Sequence, residues 1–208
     1  MRFTDRSEAG RVLARTLAGE SWTDPLVLGL ARGGVPVAAE VASALGGELG
    51  VAVARKIGAP GQPEFGVGAV TAGGDPIFNE EAMTALGLTP EDMADTCEAE
   101  RREAQRRLDL YGNGPMRLED RDVLVVDDGL ATGVTARAAL REARGQNPRR
   151  LVLAVPVGAA DSVRALSADA DLVVCPHPRT DFRAVGRFYQ HFDQTTDDQV
   201  IELLNRQH

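Results

Sequence analysis

The sequence is poor in several residue types, and each shortage excludes a class of protein. Its 208 residues include only 2 cysteines, Cys97 and Cys175, and no CxxC pair. A disulfide framework and a cysteine zinc site are therefore not expected. The 3 histidines are scattered along the chain, whereas a histidine metal site needs several converging ligands. We expect both cysteines to be plain thiols that pack as small apolar side chains.

Long apolar runs are also missing. No stretch approaches the roughly 20 apolar residues that a membrane-spanning helix requires. The first residues include acidic groups and no continuous apolar segment, unlike a signal peptide. We therefore expect no membrane partner and a cytoplasmic location. A length of 208 residues allows one sizeable core, which predicts a single domain over residues 1–208.

The chain has fewer basic than acidic residues. Lysine and arginine total 23 against 31 acidic residues, which gives a net charge of −8. Since nucleic-acid-binding proteins usually present a basic face, nucleic acid is not an expected partner. Lys56 is the one lysine beside the many arginines. A local group of basic side chains would still bind a small anion.

Buried strands and helices alternate along much of the chain. Short β-branched runs bounded by glycine, proline or charge predict strands, and helix-forming stretches follow two of them. This alternation predicts an α/β fold with a parallel sheet flanked by helices. The predicted strands are residues 26–30, 49–54, 123–126, 151–155 and 172–175, and the predicted helices are residues 5–18, 35–45, 136–144 and 195–204.

One region interrupts the alternation. Residues 58–74 are rich in glycine and proline and predict a mobile loop or hairpin. The highly charged residues 90–111 predict an inserted helix. Within it Glu98 with Arg102, and Glu103 with Arg107, stand four residues apart, a spacing typical of a solvated helix face.

The strongest functional signal is the segment VLVVDDGLATGVT, residues 123–135. An apolar strand ends in two acids and passes through a turn into a helix, and open α/β sheets bind ligands at that edge. The unpaired N–H groups and positive dipole of the helix start suit a phosphate. The predicted phosphate loop consists of Ala131, Thr132, Gly133, Val134 and Thr135.

Asp127 and Asp128 would repel a phosphate placed against them, so we expect them to face another part of the ligand. Their oxygens suit the two hydroxyls of a ribose, and they suit Mg²⁺ bound directly or through water. A diol next to a monophosphate indicates ribose 5-phosphate.

A second turn, in GLARGGVP at residues 29–36, places Arg32, Gly33 and Gly34 between a strand and a helix. The next predicted strand ends in Arg55 and Lys56. If these strand ends share one edge, the groups would surround a second anion, as a pyrophosphate on the anomeric carbon requires. A structural turn explains a lone RGG equally well, and strands ending in two aspartates occur in other doubly wound folds. The lysine of a P-loop and the GxGxxG of a dinucleotide site are not present.

In these motifs the sequence strongly resembles the type I phosphoribosyltransferases, in particular a bacterial group with unsettled substrates that carries ARGGVP, RKIGAPGQPEFGVGAV and VDDGLATG. The resemblance implies that 5-phosphoribosyl-1-pyrophosphate (PRPP) and Mg²⁺ serve in transfer of phosphoribosyl to a nitrogenous acceptor, with release of pyrophosphate, in nucleotide metabolism. It implies that Asp127 and Asp128 bind the ribose hydroxyls and the metal, that residues 131–135 bind the 5′-phosphate, and that residues 32–34 bind the pyrophosphate near Lys56. The expected catalytic residues are Asp127, Asp128, Lys56 and Arg32.

The resemblance further implies that residues 58–74 close over the ligand and exclude water, with Glu64 a candidate carboxylate near the nucleophile. It makes residues 175–194 the candidate acceptor-binding hood. There Phe182, Phe188 and Tyr189 would either stack a flat ring or pack the tail against the sheet. Ala131 stands where 6-oxopurine enzymes place an acid, which disfavours hypoxanthine and guanine. Members of the family commonly pair, so a homodimer is expected.

Two other functions fit part of the sequence. A regulatory module would sense the same ligand without turnover, since a fold and a binding loop do not guarantee catalysis. A hydrolase would use the two aspartates with magnesium, but it leaves the RGG turn unexplained.

Overall fold

The structure, a computed structural model, describes residues 2–112, 114 and 116–206. Its strands are β1 (Leu26–Leu30), β2 (Glu48–Ala52), β3 (Ala54–Ala59), β4 (Gln62–Thr71), β5 (Ile77–Phe78), β6 (Asp122–Val126), β7 (Arg150–Ala154), β8 (Val157–Ala159), β9 (Leu172–Val174) and β10 (His177–Arg179). Its α-helices are α1 (Arg6–Leu17), α2 (Gly34–Leu45), α3 (Glu80–Leu86), α4 (Ala94–Tyr111), α5 (Val134–Arg144), α6 (Ala160–Leu166) and α7 (Asp197–Asn205). Short 3₁₀ helices span Glu91–Met93 and Val185–Phe188.

A five-stranded parallel sheet in the order β2-β1-β6-β7-β9 forms the centre of the fold. Every residue of β1 and β6 is buried, which explains why β1 and residues 123–126 of β6 are continuous apolar runs rather than alternating ones. The predicted α/β fold with a parallel sheet flanked by helices is confirmed. The first predicted strand matches β1 residue for residue, and the third to fifth agree with β6, β7 and β9 to within one residue.

Helices cover both faces of this sheet. Leu13, Val41 and Val200 bury one face beneath α1, α2 and α7, while Ala139 and Leu140 of α5 cover the other. Local capping fixes where the outer helices begin: Asp5 accepts a hydrogen bond from the Glu8 N–H at 2.8 Å, and α7 starts with a reciprocal capping box formed by Thr196 and Gln199. In the part of the chain that the structure describes, no helix is both long and apolar enough to cross a bilayer.

The second predicted strand, residues 49–54, corresponds to parts of two strands in different sheets. The parallel strand β2 ends at Ala52, and Ala54 already pairs with Thr71 in the antiparallel hairpin of β3 and β4. Arg55 and Lys56 therefore lie within the hairpin and not at the end of a parallel strand. The break at Val53 lies within the uninterrupted small apolar run VAVA, so composition alone gives no sign of it.

Residues 58–74 were predicted as a mobile loop or a hairpin, and most of them lie in the antiparallel hairpin of β3 and β4. Ile57, Val67 and Val70 bury its inner face against Met93 and Cys97, so it has an apolar core shared with α4. The predicted inserted helix is the 3₁₀ turn Glu91–Met93 continued by α4. This second core holds the hairpin beside the carboxyl ends of β1 and β6.

Candidate functional site

A cleft opens at the carboxyl edge of the parallel sheet, where β1 and β6 end side by side with Gly29 paired to Val126. It has a volume of about 360 Å³. Its lining brings together several of the residues that the sequence singled out and others that it did not. The lining consists of Arg6, Leu30, Ala31, Arg32, Gly33, Ala54, Arg55, Arg107, Asp127, Asp128, Thr135, Gln194 and Thr195.

The RGG turn after β1 packs directly on the two acids after β6. A Cβ at Gly33 would overlap Oδ2 of Asp128, and a Cβ at Gly34 would overlap the carbonyl oxygen of Val126 and lie 2.9 Å from Cα of Asp127. Both positions need glycine because the backbone of the turn approaches the acid pair so closely. The peptide bond between Ala31 and Arg32 is cis.

The acid pair is held by its own backbone and by the tail of the chain. The Asp128 N–H donates to Asp127 Oδ1 at 2.8 Å, and the Tyr189 hydroxyl donates to the Asp128 carbonyl at 2.6 Å. Burial raises the pKa of Asp127 well above its ordinary value, and the neighbouring Asp128 charge adds to this rise. Burial also raises the pKa of Asp128, although the Arg6 guanidinium opposes that effect.

Arg6 binds Asp128 of the acid pair and was not identified from the sequence. Its Nε donates to Asp128 Oδ2 at 2.8 Å, and both side chains are largely buried, at 13% and 12% exposure. The sequence pattern predicts a purely structural N-terminal helix, because an arginine at the start of an amphipathic helix carries no mark of its tertiary partner.

The predicted phosphate loop leaves β6 through Gly129 and Leu130 and enters α5. Gly133 adopts a positive φ of 76°, and the Ser162 hydroxyl donates to the Ala131 carbonyl at 2.5 Å. Within the described residues, the N–H groups of Ala131, Thr132 and Gly133 have no hydrogen-bond acceptor. This geometry suits an anion at the helix start.

The loop residues do not all face the same space. Thr135 lines the cleft of the acid pair. Thr132 and Val134 line a neighbouring depression beside Arg137, and Gly133 is buried. The structure therefore places the predicted phosphate loop next to the acid pair but brings only its last residue into the same cleft.

The basic residues predicted to bind pyrophosphate divide between two adjoining cavities. Arg32 lies in the acid-pair cleft, with its guanidinium 3.8 Å from Oδ1 of Asp197. Arg55 lines both cavities and donates to Glu100 of α4 at 2.9 Å. Lys56 lies only in the second cavity, of about 710 Å³ under the hairpin, together with Glu64.

The prediction that the charged residues of α4 form only a solvated face is wrong for Arg107, which lines the cleft. It does pair with Glu103 at 2.9 Å, but its side chain is 19% exposed and lines the cleft, whereas the adjacent Arg106 is 59% exposed. Arg101 also faces inward and donates to the Gly74 carbonyl at 2.7 Å. The charge spacing predicted the ion pairs but not the direction of these two side chains.

The aromatic residues of the candidate hood pack mainly on one another. Phe182 stacks on Phe188 with ring centroids 5.2 Å apart, and Tyr189 stacks on Phe192 at 5.0 Å. Tyr189 is only 1% exposed, so its ring is not available to an acceptor in this conformation. Of the two open interpretations, the geometry favours packing of the tail for Tyr189.

Residues near the end of the chain also contribute to the cleft; Gln194 belongs to the predicted hood, whereas Thr195 and Asp197 were not predicted as site residues. Gln194 and Thr195 line the cleft, and Asp197 at the start of α7 accepts a hydrogen bond from Tyr111 at 2.7 Å while facing Arg32. Burial raises the pKa of Tyr111 to about 12. No local motif marks these positions, because they reach the cleft only through the packing of α7.

The chain is similar in sequence to known proteins. The phosphoribosyl transferase domain family matches residues 7–190. Two proteins from strains of Mycobacterium tuberculosis, both provisionally named phosphoribosyl transferases, are 43% identical to this chain over 208 residues. The match covers 99% of this chain and 47% of theirs, so the chain spans about half the length of these curated relatives.

The chain is also similar to solved structures. The crystal structure of TT1426 from Thermus thermophilus is 41% identical to this chain, with a TM-score of 0.83 and coverage of 100% of this chain and 99% of that one. The AQ2163 protein from Aquifex aeolicus has a TM-score of 0.51 at 11% identity, covering 96% of this chain and 84% of that one. The second similarity shows the fold alone.

Proposed function

Since this chain belongs to the phosphoribosyl transferase domain family, as its motifs predicted, we propose that it transfers the phosphoribosyl group of PRPP to a nitrogenous acceptor and releases pyrophosphate. The observation that carries this proposal is the convergence of Arg32, Gly33, Asp127, Asp128 and Thr135 in one cleft. A sugar that carries phosphates at both ends needs hydroxyl acceptors flanked by anion sites, and this cleft offers both.

The cleft and the loop beside it suit different parts of PRPP. The carboxylate of Asp127 would accept the ribose hydroxyls, beside Asp128. The free N–H groups of residues 131–133 and the start of α5 would bind the 5′-phosphate. Arg32 and the turn of residues 32–34 would bind the pyrophosphate. Supporting this division, Arg6, Arg32, Arg55 and Arg107 all line the cleft, which favours a polyanionic ligand.

Magnesium fits this site as an ion shared with the ligand. Oδ2 of Asp128 is bonded to Arg6, and Oδ1 of Asp127 accepts from the Asp128 N–H, so each carboxylate keeps one oxygen outside these bonds. No group of three or more potential metal ligands occurs in the described ranges. Two carboxylates suit Mg²⁺, which is usually completed by water and substrate phosphates. When bound, it would neutralise charge on the leaving pyrophosphate.

The transfer requires a bond to form between an acceptor nitrogen and the anomeric carbon while the bond to pyrophosphate breaks. The bonding electron pair leaves with the pyrophosphate, so negative charge develops at that end and positive charge on the sugar ring. Arg32 and Arg55, with Lys56 in the adjoining cavity, would stabilise the leaving group, and Asp127 and Asp128 would stabilise the ring. The hairpin of β3 and β4 would restrict access of water.

The acceptor is the least defined part of the reaction. Ala131 is exposed and supplies no acid where 6-oxopurine enzymes of this family place one. Glu64 lines the cavity of Lys56, which supports its candidacy as a carboxylate near the nucleophile. We propose an acceptor other than hypoxanthine or guanine. A homodimer stays a prediction, which sedimentation of the purified protein would check.

Isothermal titration with PRPP and Mg²⁺, followed by a pyrophosphate-release assay, tests the proposal. We expect binding, and release of pyrophosphate with one member of a panel of adenine, other bases, orotate and simple amines. Binding without release for the whole panel would instead favour a sensor that does not turn over its ligand. Failure to bind PRPP would refute both functions.

Removal of Mg²⁺ is expected to weaken PRPP binding by about tenfold or more, because the paired acids would then face the ligand's phosphates without a bridging cation. The measurement is the same titration in EDTA and again after Mg²⁺ is restored in excess. An affinity for PRPP that is equal in EDTA and in Mg²⁺ would contradict the metal's part in the proposal.

A further inference from the structure

Arg6 is fixed by three contacts at the edge of the cleft. Its Nε donates to Asp128 Oδ2 at 2.8 Å, and Nη1 donates to the Asp193 carbonyl at 2.7 Å. Its guanidinium carbon also lies 4.1 Å from the centroid of the Phe192 ring, a distance at which a cation is attracted to the ring. The side chain is therefore held in one place from three sides.

The backbone that carries Arg6 is equally well defined. Asp5 caps α1, which makes Arg6 its first residue, and Ala9 and Leu13 on the same helix are fully buried. A side chain on a capped, packed helix is positioned more reproducibly than one on a loop. The fold thus presents a rigid cation to Asp128.

The charges around the acid pair explain why such a cation matters. Asp127 and Asp128 are adjacent carboxylates with little access to water, so each disfavours the ionised form of the other. Within the described chain, Arg6 makes the ion pair to these acids. With Asp128 compensated by Arg6, Asp127 is left to meet the ligand.

We propose that Arg6 is a positioning residue that holds Asp128 in place and offsets its charge, so that the acid pair accepts the ribose and metal of PRPP. This inference rests on the proposed function and adds to it a residue from outside the family's motifs. The competing explanation is a purely mechanical link, in which Arg6 only joins α1 to the tail through Asp193 and Phe192.

Four variants separate these explanations. Arg6→Gln removes the charge, whereas Arg6→Lys keeps it but cannot reproduce both hydrogen bonds of the guanidinium. Phe192→Leu loosens the stacking against the tail and leaves the ion pair to Asp128 intact. Arg11→Gln is the matched control, because Arg11 lies on the same helix in an exposed pair with Glu40 at 3.2 Å.

The experiment is titration of each folded variant with PRPP and Mg²⁺, with thermal melts recorded alongside. Arg6→Gln is expected to bind about tenfold or more weakly, because an uncompensated Asp128 repels the phosphates. Arg6→Lys and Phe192→Leu are expected to melt at lower temperature yet bind within about threefold of the parent. Arg11→Gln is expected to match the parent in both measurements.

Several results would overturn the inference. Arg6→Gln binding as tightly as the parent would do so, as would Phe192→Leu losing as much affinity as Arg6→Gln. If Arg6→Gln does not fold, the affinity of Arg6→Lys for PRPP tests the inference instead. A loss of affinity of about tenfold or more in Arg6→Lys would contradict the charge-based role of Arg6. Absence of PRPP binding by the parent would refute the proposed function and this inference with it, whereas the preceding results refute the inference alone.

Discussion

Asp127→Asn is expected to weaken PRPP binding by about a hundredfold or more and at the same time to stabilise the protein without ligand. The asparagine keeps the Oδ1 that accepts from the Asp128 N–H at 2.8 Å but removes the charge that would meet the ribose hydroxyls and the metal. The gain in stability follows because burial beside Asp128 raises the pKa of Asp127, so its ionised form is unfavourable in the folded protein.

The pH dependence of this gain has a definite sign. A raised folded-state pKa means that the folded protein holds the proton more tightly than the unfolded chain. The contribution of Asp127 to the free energy of unfolding therefore falls as the pH rises from the pKa of an aspartate in the unfolded chain, about 3.9, through the higher pKa of Asp127 in the folded protein. The advantage of Asp127→Asn should be largest at neutral pH and should vanish near pH 4. Urea unfolding of both proteins across this range measures it.

Two further variants serve as controls for Asp127→Asn. Asp128→Asn is expected to lose PRPP binding without the same gain in stability, since it leaves Arg6 without its carboxylate. Asp120→Asn makes the same chemical change at a side chain that is 86% exposed and should alter neither property. A neutral-pH stability of Asp127→Asn below that of the parent, or undiminished PRPP binding by it, would contradict the account.

Gly34→Ala is expected to lower the free energy of unfolding by roughly 1–3 kcal/mol and to weaken PRPP binding by about tenfold or more. The added Cβ would overlap the Val126 carbonyl oxygen and lie 2.9 Å from Cα of Asp127. Both are backbone atoms, which cannot rotate away, so the turn must withdraw from the acid pair. Denaturant unfolding and titration with PRPP and Mg²⁺ measure the two effects.

The matched control is Gly19→Ala. No atom lies within 4 Å of the Cβ added there, and the backbone has no positive φ, so this change should be neutral or slightly stabilising. If Gly34→Ala unfolded at the same denaturant concentration as Gly19→Ala, the RGG turn would not be in contact with the acids as described.

Local patterns predicted the framework of the fold well. The run at residues 26–30 is apolar throughout because β1 is buried on both faces, and short apolar runs bounded by turn residues specify such strands strongly. The C-terminal helix could also be predicted from the sequence, because its first turn carries the residues of a capping box, Thr196 and Gln199. These features depend on residues close together in the chain.

Features that depend on residues far apart in the chain could not be predicted from the sequence. The separation of Arg55 and Lys56 from the parallel sheet follows from pairing of Ala54 with Thr71, which the apolar run before it does not reveal. Arg6 meets Asp128 across 122 positions of sequence, and Asp197 reaches Arg32 only because α7 packs beside α2. The sequence thus indicated the acids and the turn, while tertiary packing supplied the arginine that binds them.

The most direct test of the central claim is a crystal structure of the protein with PRPP and Mg²⁺. The account predicts the ribose hydroxyls at Asp127 and Asp128, the 5′-phosphate at the amides of residues 131–135, and the pyrophosphate at Arg32 and the two following glycines. Binding of PRPP at any other surface, or in this cleft with its sugar turned away from the two acids, would contradict it.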